Sequence, residues 1–467
     1  MAAPATRRPV RLDVAIGILA AGAAAVVGSA ALVDNSFLTH LATGRIIWAG
    51  DGIPREDPYT FTAAGESWVV QSWLASVLYG GLEELGGLGA IRALMAASTA
   101  ALGVLTWTLT RPARTLAGRL VAFAPAFVVG AGGAWPERPL LLGLLALGVV
   151  LLAAEDRVDA RWLLPVGWAW ANSHGSWPLG VVALVCLGLG ARLDGGDATA
   201  ELRALRWLAG GLLLGVFNPY GPKILLFPLA LLSRRESLEG IVEWGPMTFG
   251  SIDQWAFLAL VLVGIVALTR RPSWRLAVPL VVFGAAALTG VRNVPVAALV
   301  LVPGVSASLA GLGEKRGELA ARLGLSVAAI GAVLGAVAVV SIATSDDFQD
   351  DAYPVAAHDW LRDNGLAPDE HRVVAREFVG NWLEAVYGPT GEVFMDDRIE
   401  VMPTAVVRDH RLLLRGDPTW EEILDRYDPE AVLWQADSSL ASVLAADEGW
   451  EITFRDDDWI VAVPADG

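Results

Sequence analysis

The sequence has little charge and almost no cysteine. Only 18% of its 467 residues are Asp, Glu, Lys or Arg, against roughly 25% in soluble domains, which argues against a wholly water-soluble chain. Cys186 is the single cysteine, so an intrachain disulfide and a Cys-based metal centre are both excluded. No basic stripe with interleaved aromatics occurs, and the acid excess repels phosphate backbones, so nucleic acid is not an expected partner. The 50 Gly and 25 Pro follow no collagen-like period, and no internal repeat marks the two halves of a transporter. What is abundant is apolar: 54% of the chain, in long runs, with a mean hydropathy of +0.51. That pattern describes a mainly α, polytopic helical membrane protein.

The net charge of −16 is unevenly spread. From Ser345 onward there are 29 acids against 9 bases, whereas residues 1–344 hold 21 acids and 25 bases. Two domains are therefore expected, a multi-span region over 1–344 and an acidic domain over 345–467.

Apolar stretches of ~20 residues cross a bilayer as helices because backbone groups find no water there. About 11 spans are expected, at 12–33, 88–110, 116–134, 139–154, 161–177, 178–191, 204–218, 254–269, 275–290, 294–311 and 322–343. With a cytoplasmic N-terminus, 17 Lys and Arg fall in inside loops, among them Arg7, Arg114, Arg271 and Lys315, against 7 outside. The positive-inside rule then predicts a multi-pass plasma (inner) membrane protein whose C-terminal domain is extracytoplasmic. This topology needs 68–86 to lie along the interface or re-enter; if it crosses, every later loop changes side. The first span also reads as a signal peptide with small residues near Ser29, although ten spans behind it favour an uncleaved helix.

With this topology the loop 34–87, the Asn172–Trp177 turn, the 218–253 connection and the Val291–Asn293 turn share the outer side. Asp34, at the outer end of a span, is a general base, a ligand for a divalent cation, or a solvated helix end. His40 and His174 bind pyrophosphate, shuttle protons, or simply hold structural hydrogen bonds. Trp68, Trp73 and Trp177 fit an aromatic belt as well as a sugar-stacking platform. Asn172 and His174 interrupt an apolar run, and Arg92, Glu137, Arg138 and Glu243 likewise need partners or a cavity. Arg292 offers a bidentate guanidinium to a phosphate, or snorkels at the interface.

In the acidic domain, helices are expected at Val355–Asn364, Trp382–Tyr387, Thr419–Tyr427 and Ser438–Ala446. Strands are expected at Arg372–Glu377, Glu392–Met395 and Ala431–Trp434, with a closing hairpin from Trp450–Phe454 and Trp459–Val463. The result is a small soluble α/β domain, with Asp396-Asp397 either binding a cation or capping a strand end.

Taken in order, Asp34 to Gly44, Gly52 to Pro58, Trp68 to Leu74, Arg138-Pro139, Asn172 with His174-Gly175, Asn218 to Gly221, Glu243-Trp244 and Arg292-Asn293 resemble the GT-C-type integral membrane glycosyltransferases. The likeness is to the bacterial branch related to protein O-mannosyltransferases and aminoarabinose transferases, and it extends into the tail at Tyr353 to Val355 and Trp420 to Tyr427. It implies transfer of a sugar from a polyprenyl-phosphate carrier to a glycan, lipid or protein acceptor on the outer face, with inversion. It also implies Asp34 as base, with His40, Asp57, Gln71, Asn172, His174 and Arg292 on donor phosphate or substrate. The family's second loop acid is Ser36 here, which leaves one carboxylate and opens an alternative: a non-catalytic membrane scaffold or lipid-carrier-binding protein of the same fold.

Overall fold

The computed structural model describes residues 11–135, 137–234, 242–313 and 317–465. Within them the helices run in order α1 Leu12–Gly28, α2 Asn35–Ile46, α3 Trp73–Leu109, α4 Leu116–Val129, α5 Leu140–Ala154, α6 Leu163–Ser173, α7 Trp177–Leu193, α8 Thr199–Leu214, α9 Lys223–Ser233, α10 Ile252–Arg270, α11 Trp274–Thr289, α12 Val294–Ser308 and α13 Gly317–Thr344. Then follow α14 Val355–Asp363, β1 Val373–Ala375, α15 Glu377–Tyr387, α16 Thr404–Arg415, α17 Trp420–Tyr427, β2 Ala431–Gln435, α18 Ser439–Leu444, β3 Trp450–Arg455 and β4 Trp459–Pro464.

Each expected span coincides with one of these helices. Five stretches are long and apolar enough to cross a membrane: Trp73–Ala113, Leu116–Gly133, Ile252–Arg270, Val291–Ser308 and Gly324–Thr344. Helices α1, α5, α7, α9 and α11 are apolar but shorter. The stretches 161–177 and 204–218 are represented by α6, of 11 residues, and by α8, which carries Glu201, Arg203 and Arg206. At 1.5 Å per residue α6 rises only about 16 Å, half the hydrocarbon thickness. The expected connection 218–253 contains the further helix α9, and residues 235–241 lie outside the described ones, together with Arg7, Lys315 and Arg316.

The chain divides into two compact units. The first comprises residues 1–32, 86–225 and 240–347; the second comprises 33–85, 226–239 and 348–467. The loop 34–87, expected with the spans, thus clusters with the acidic tail. The boundary at residue 85 falls where α3 breaks: Gly86 (φ −162°, ψ 24°) and Gly87 (φ 64°, ψ −165°) leave helical geometry. The positive φ at Gly87 suits only a residue without Cβ. Residues 73–85 and 88–109 are therefore two separate helical arms.

In the first unit α12 is buried along nearly its whole length among α4, α5, α10 and α11. A helix apolar on every side belongs in a core. Helix α1 packs on α13 and α3 through glycines. A Cβ on Gly331 would come within 2.6 Å of Ile18 O, one on Gly103 within 2.7 Å of Ala20 O, and one on Gly28 within 2.7 Å of Met95 O. Small residues at these crossings let backbones touch where lipid supplies no hydrophobic drive.

In the second unit the sheet order is β1-β2-β4-β3, with β1 parallel to β2 and the other pairs antiparallel. Register is set by Val374 opposite Val432, Trp434 opposite Ile460 and Glu451 opposite Val463. One face packs Leu361, Val379, Leu383, Leu433 and Val461 into a core. On the other, Trp434 meets His410 of α16. The expected strand 392–395 reduces to bridges of Val393 with Thr60 and Val373, because residues 396–398 turn away into a polar cluster. Helices α2 and α16 were not foreseen.

Candidate functional site

In the second unit a polar network runs from the start of α2 into the buried interior. Asp34 is the N-cap of α2, accepting from Phe37 N at 3.2 Å, as an acid at a helix start should. One and two residues on, Asn35 donates to Asp397 Oδ2 at 3.2 Å and Ser36 Oγ donates to the same oxygen. Asn381 of α15 donates to Asp397 Oδ1 at 2.8 Å and to Thr39 at 2.6 Å, and Thr39 donates to Glu384 at 2.6 Å. Asp34, Asn35, Ser36 and Asp397 are half-buried, so this end of the network is the one solvent reaches.

At the other end Arg398 is enclosed by carboxyls. Its guanidinium donates to Asp57 and Asp396 at 2.5 Å and stands 3.5 Å from Glu384. It also lies over Trp68 at 4.4 Å and Tyr59 at 4.8 Å. Burial, then the charge of Asp396, pushes Glu384 well above the usual carboxyl range. The Oε1 atom of Glu384 has no hydrogen-bond partner among the described residues. Asp57 accepts from Thr60 N at 3.0 Å and Thr60 Oγ1 at 2.5 Å as well as from Arg398. With its side chain fully buried, Asp57 ties the loop to the tail through Arg398. Asp396 likewise holds Arg398, while Asp397 faces α2.

His40 and Gln71 also belong to this unit: His40 Nδ1 lies 3.4 Å from Ser76 Oγ, and buried Gln71 accepts from Ser72 at 3.1 Å. The remaining candidates belong to the first unit. Asn172 is fully buried and donates to Trp168 O at 2.8 Å. His174 ends α6, its Nδ1 2.8 Å from Ser176 Oγ, which also accepts from Trp170 at 3.0 Å. The guanidinium carbon of Arg292 lies over the Trp244 ring at 3.9 Å, and Arg138 donates to Glu243. Arg92, in contrast, is completely buried and bound to backbone carbonyls. Among the described residues no group of three or more His, Cys, Asp or Glu is placed to hold a metal.

Sequence reasoning missed Glu384, Asn381 and Asn35, and it read Asp396 and Asp397 as one feature although they point to different partners. The Asp-Asp-Arg run was the available signal.

No protein-family model matches the chain, and no curated protein matches it by sequence. Among solved structures, the chain is similar to the archaeal oligosaccharyltransferase AglB from Archaeoglobus fulgidus, determined with an inhibitory peptide and a dolichol-phosphate. The TM-score is 0.53 at 11% identity, over 92% of this chain and 70% of that one. The fold is GT-C-like. A second similar structure, the mycobacterial arabinofuranosyltransferase AftD, gives a TM-score of 0.45 at 14% identity over 94% of this chain and 40% of that one. The GT-C-like fold and the apolar helices make this a membrane protein.

Proposed function

We propose that the protein transfers a sugar from a polyprenyl-phosphate carrier to an acceptor hydroxyl on the extracytoplasmic side of the membrane, with inversion at the anomeric carbon. The observation that carries this reading is the solvent-reachable end of the second unit's network. Asp34 caps α2 there, and Asp397 closes on Ser36, so a carboxylate from the tail stands against the position where the sequence resemblance expects a second acid. The oligosaccharyltransferase of similar fold was determined with a dolichol-phosphate, a carrier of the same chemical class.

In this reaction the acceptor oxygen attacks the anomeric carbon as the bond to the phosphate oxygen breaks. Asp34 takes the hydroxyl proton, and polyprenyl phosphate leaves with the electron pair. Asp397 keeps the N-terminus of α2 in place through Asn35 and Ser36. A fixed cation that meets the charge growing on a departing phosphate accelerates such a step, and Arg292 of the first unit is the residue that the sequence resemblance assigns to the donor phosphate.

A second reading, a non-catalytic scaffold of the same fold, is favoured by the capping bond that already occupies Asp34 Oδ1. Membranes bearing wild type or Asp34→Asn, incubated with radiolabelled polyprenyl-phosphate pentoses and hexoses, separate the two. Loss of label transfer at unchanged protein level supports the enzyme; equal transfer overturns it. In the same assay D397N lowers transfer, and the relocated charge in S36D/D397S restores it.

A further inference from the structure

Three short connections of the first unit bring two arginines, one glutamate and an indole together. Arg138 precedes α5, Glu243 and Trp244 lie in the 3-10 turn Val242–Trp244, and Arg292 lies in the 3-10 turn Val291–Asn293. The two turns are tied by Val291 N donating to Gly245 O at 3.0 Å and by Met247 N donating to Leu288 O at 3.1 Å. The guanidinium carbon of Arg292 lies over the Trp244 ring, 3.9 Å from its centre. Arg138 donates to Glu243, and the charges of both act on Arg292.

Exposure separates this cluster from a structural ion pair. The side chain of Glu243 is 45% exposed and that of Arg138 25%, whereas Arg92 in the same unit is sealed from water. A half-exposed Arg–Glu pair adds little to stability, but a soluble anion can reach it and compete for the guanidinium. A phosphate suits the planar fork of arginine.

We propose that Glu243 is an internal stand-in for the donor's phosphate. It holds Arg138 in the substrate-free protein, and a phosphate arriving on Arg292 displaces it and takes Arg138 as a second ligand. The inference rests on the reading of Arg292 as a phosphate ligand. It adds a reason for two cations: the phosphodiester donor carries one negative charge, and the phosphomonoester that leaves carries nearly two, so Arg138 is recruited as that charge develops.

The test is titration of farnesyl phosphate, with farnesol as the uncharged control, into the full chain in nanodiscs by isothermal calorimetry. Removing the competing carboxylate in Glu243→Gln tightens farnesyl phosphate binding ~5–30-fold and leaves farnesol unchanged. In the R138Q background the same substitution gains little. E243D, which withdraws the charge by one methylene, gives a smaller gain and serves if E243Q does not fold. Unchanged or weaker binding in folded E243Q, while R292M still weakens binding, overturns the stand-in alone. If R292M leaves farnesyl phosphate affinity intact, Arg292 is not a phosphate ligand, and both the stand-in and the donor-binding part of the proposed function fall.

Discussion

Replacing Arg92 tests whether a fully buried arginine in the first unit acts as a shared cap for two helices. It projects from the 88–109 arm of α3 and is 0% exposed. It donates to Ser29 O at 2.6 Å and Ala30 O at 3.2 Å, just past the end of α1. It also donates to Ser341 O at 3.2 Å and Ser345 O at 3.1 Å, to Ser345 Oγ at 2.8 Å and to Asp347 at 2.9 Å, around the end of α13. The last carbonyls of a helix have no intrahelical donor and carry its negative pole, so one cation here satisfies two termini at once. Arg92→Met keeps most of the volume and removes every donor. A buried carbonyl left short of donors costs about 1–3 kcal/mol, which applies here to Ser29 O, since Ala30 and Ser345 are exposed and Ser341 O keeps Ser345 N at 3.0 Å; losing the buried member of a charged cluster typically costs about 3–5 kcal/mol. Part of the sum is recovered because Asp347 is 42% exposed and can hydrate. A net loss of about 3–5 kcal/mol is expected, or a fall in Tm of roughly 10 °C, read by thermal unfolding of the purified chain in detergent. Asp347→Asn is the control: its partner keeps the carbonyls, and a half-exposed ion pair is worth at most about 1 kcal/mol. If R92M melts with wild type, or no lower than D347N, the carbonyls are satisfied without Arg92 and the capping argument is wrong.

The α1–α13 crossing predicts that Gly331→Leu destabilises the protein by about 1–3 kcal/mol, since its side chain must enter the backbone of Ile18. Gly335→Leu, where a Cβ meets nothing within 4 Å, stays within about 0.5 kcal/mol; equal losses in the two variants would remove the close-approach argument. In the second unit, burial pushes the Glu400 carboxyl from 4.5 up to about 7. The native state then keeps a proton that the unfolded chain gives up, so stability falls as pH rises from about 4.5 to about 7, by up to about 3 kcal/mol. Glu400→Gln has no proton to lose. The stability difference between variant and wild type, measured by denaturant unfolding across this range, should grow in the variant's favour and level off above pH 7, and a flat difference counts against the shift. Glu377 has the opposite sign: burial opposes ionisation, but its contact with His410 at 3.1 Å holds its carboxyl down at about 2. Its contribution is complete above 4.5 and is lost as pH falls towards 2, and E377Q removes that acid-side slope.

The parts of this protein that were legible in its sequence are those governed by local rules. The long apolar runs forced helices because the bilayer offers no other way to satisfy backbone groups. The hairpin Trp450–Arg455 and Trp459–Pro464 followed from alternation around an Asp-rich turn. Helix α2 was missed although its signals were present: Asp34 is a capping residue, and Phe37, Leu38, Leu41 and Ala42 repeat at helical spacing. Polar residues after a hydrophobic span invite a loop reading, and here they are polar because they face a second segment some 350 residues away. That long-range pairing is what no window could contain. Sequence compares Ser36 only with its own position, whereas its hydrogen-bond partner is a carboxylate from the tail. Asp397 stands against Ser36 by virtue of the turn at 396–398, which the buried Arg398 holds by drawing Asp396 and Asp57 inward. Asp57 shows the same limit: its place in a motif was legible, whereas its burial and its tie to the distant Arg398 were not.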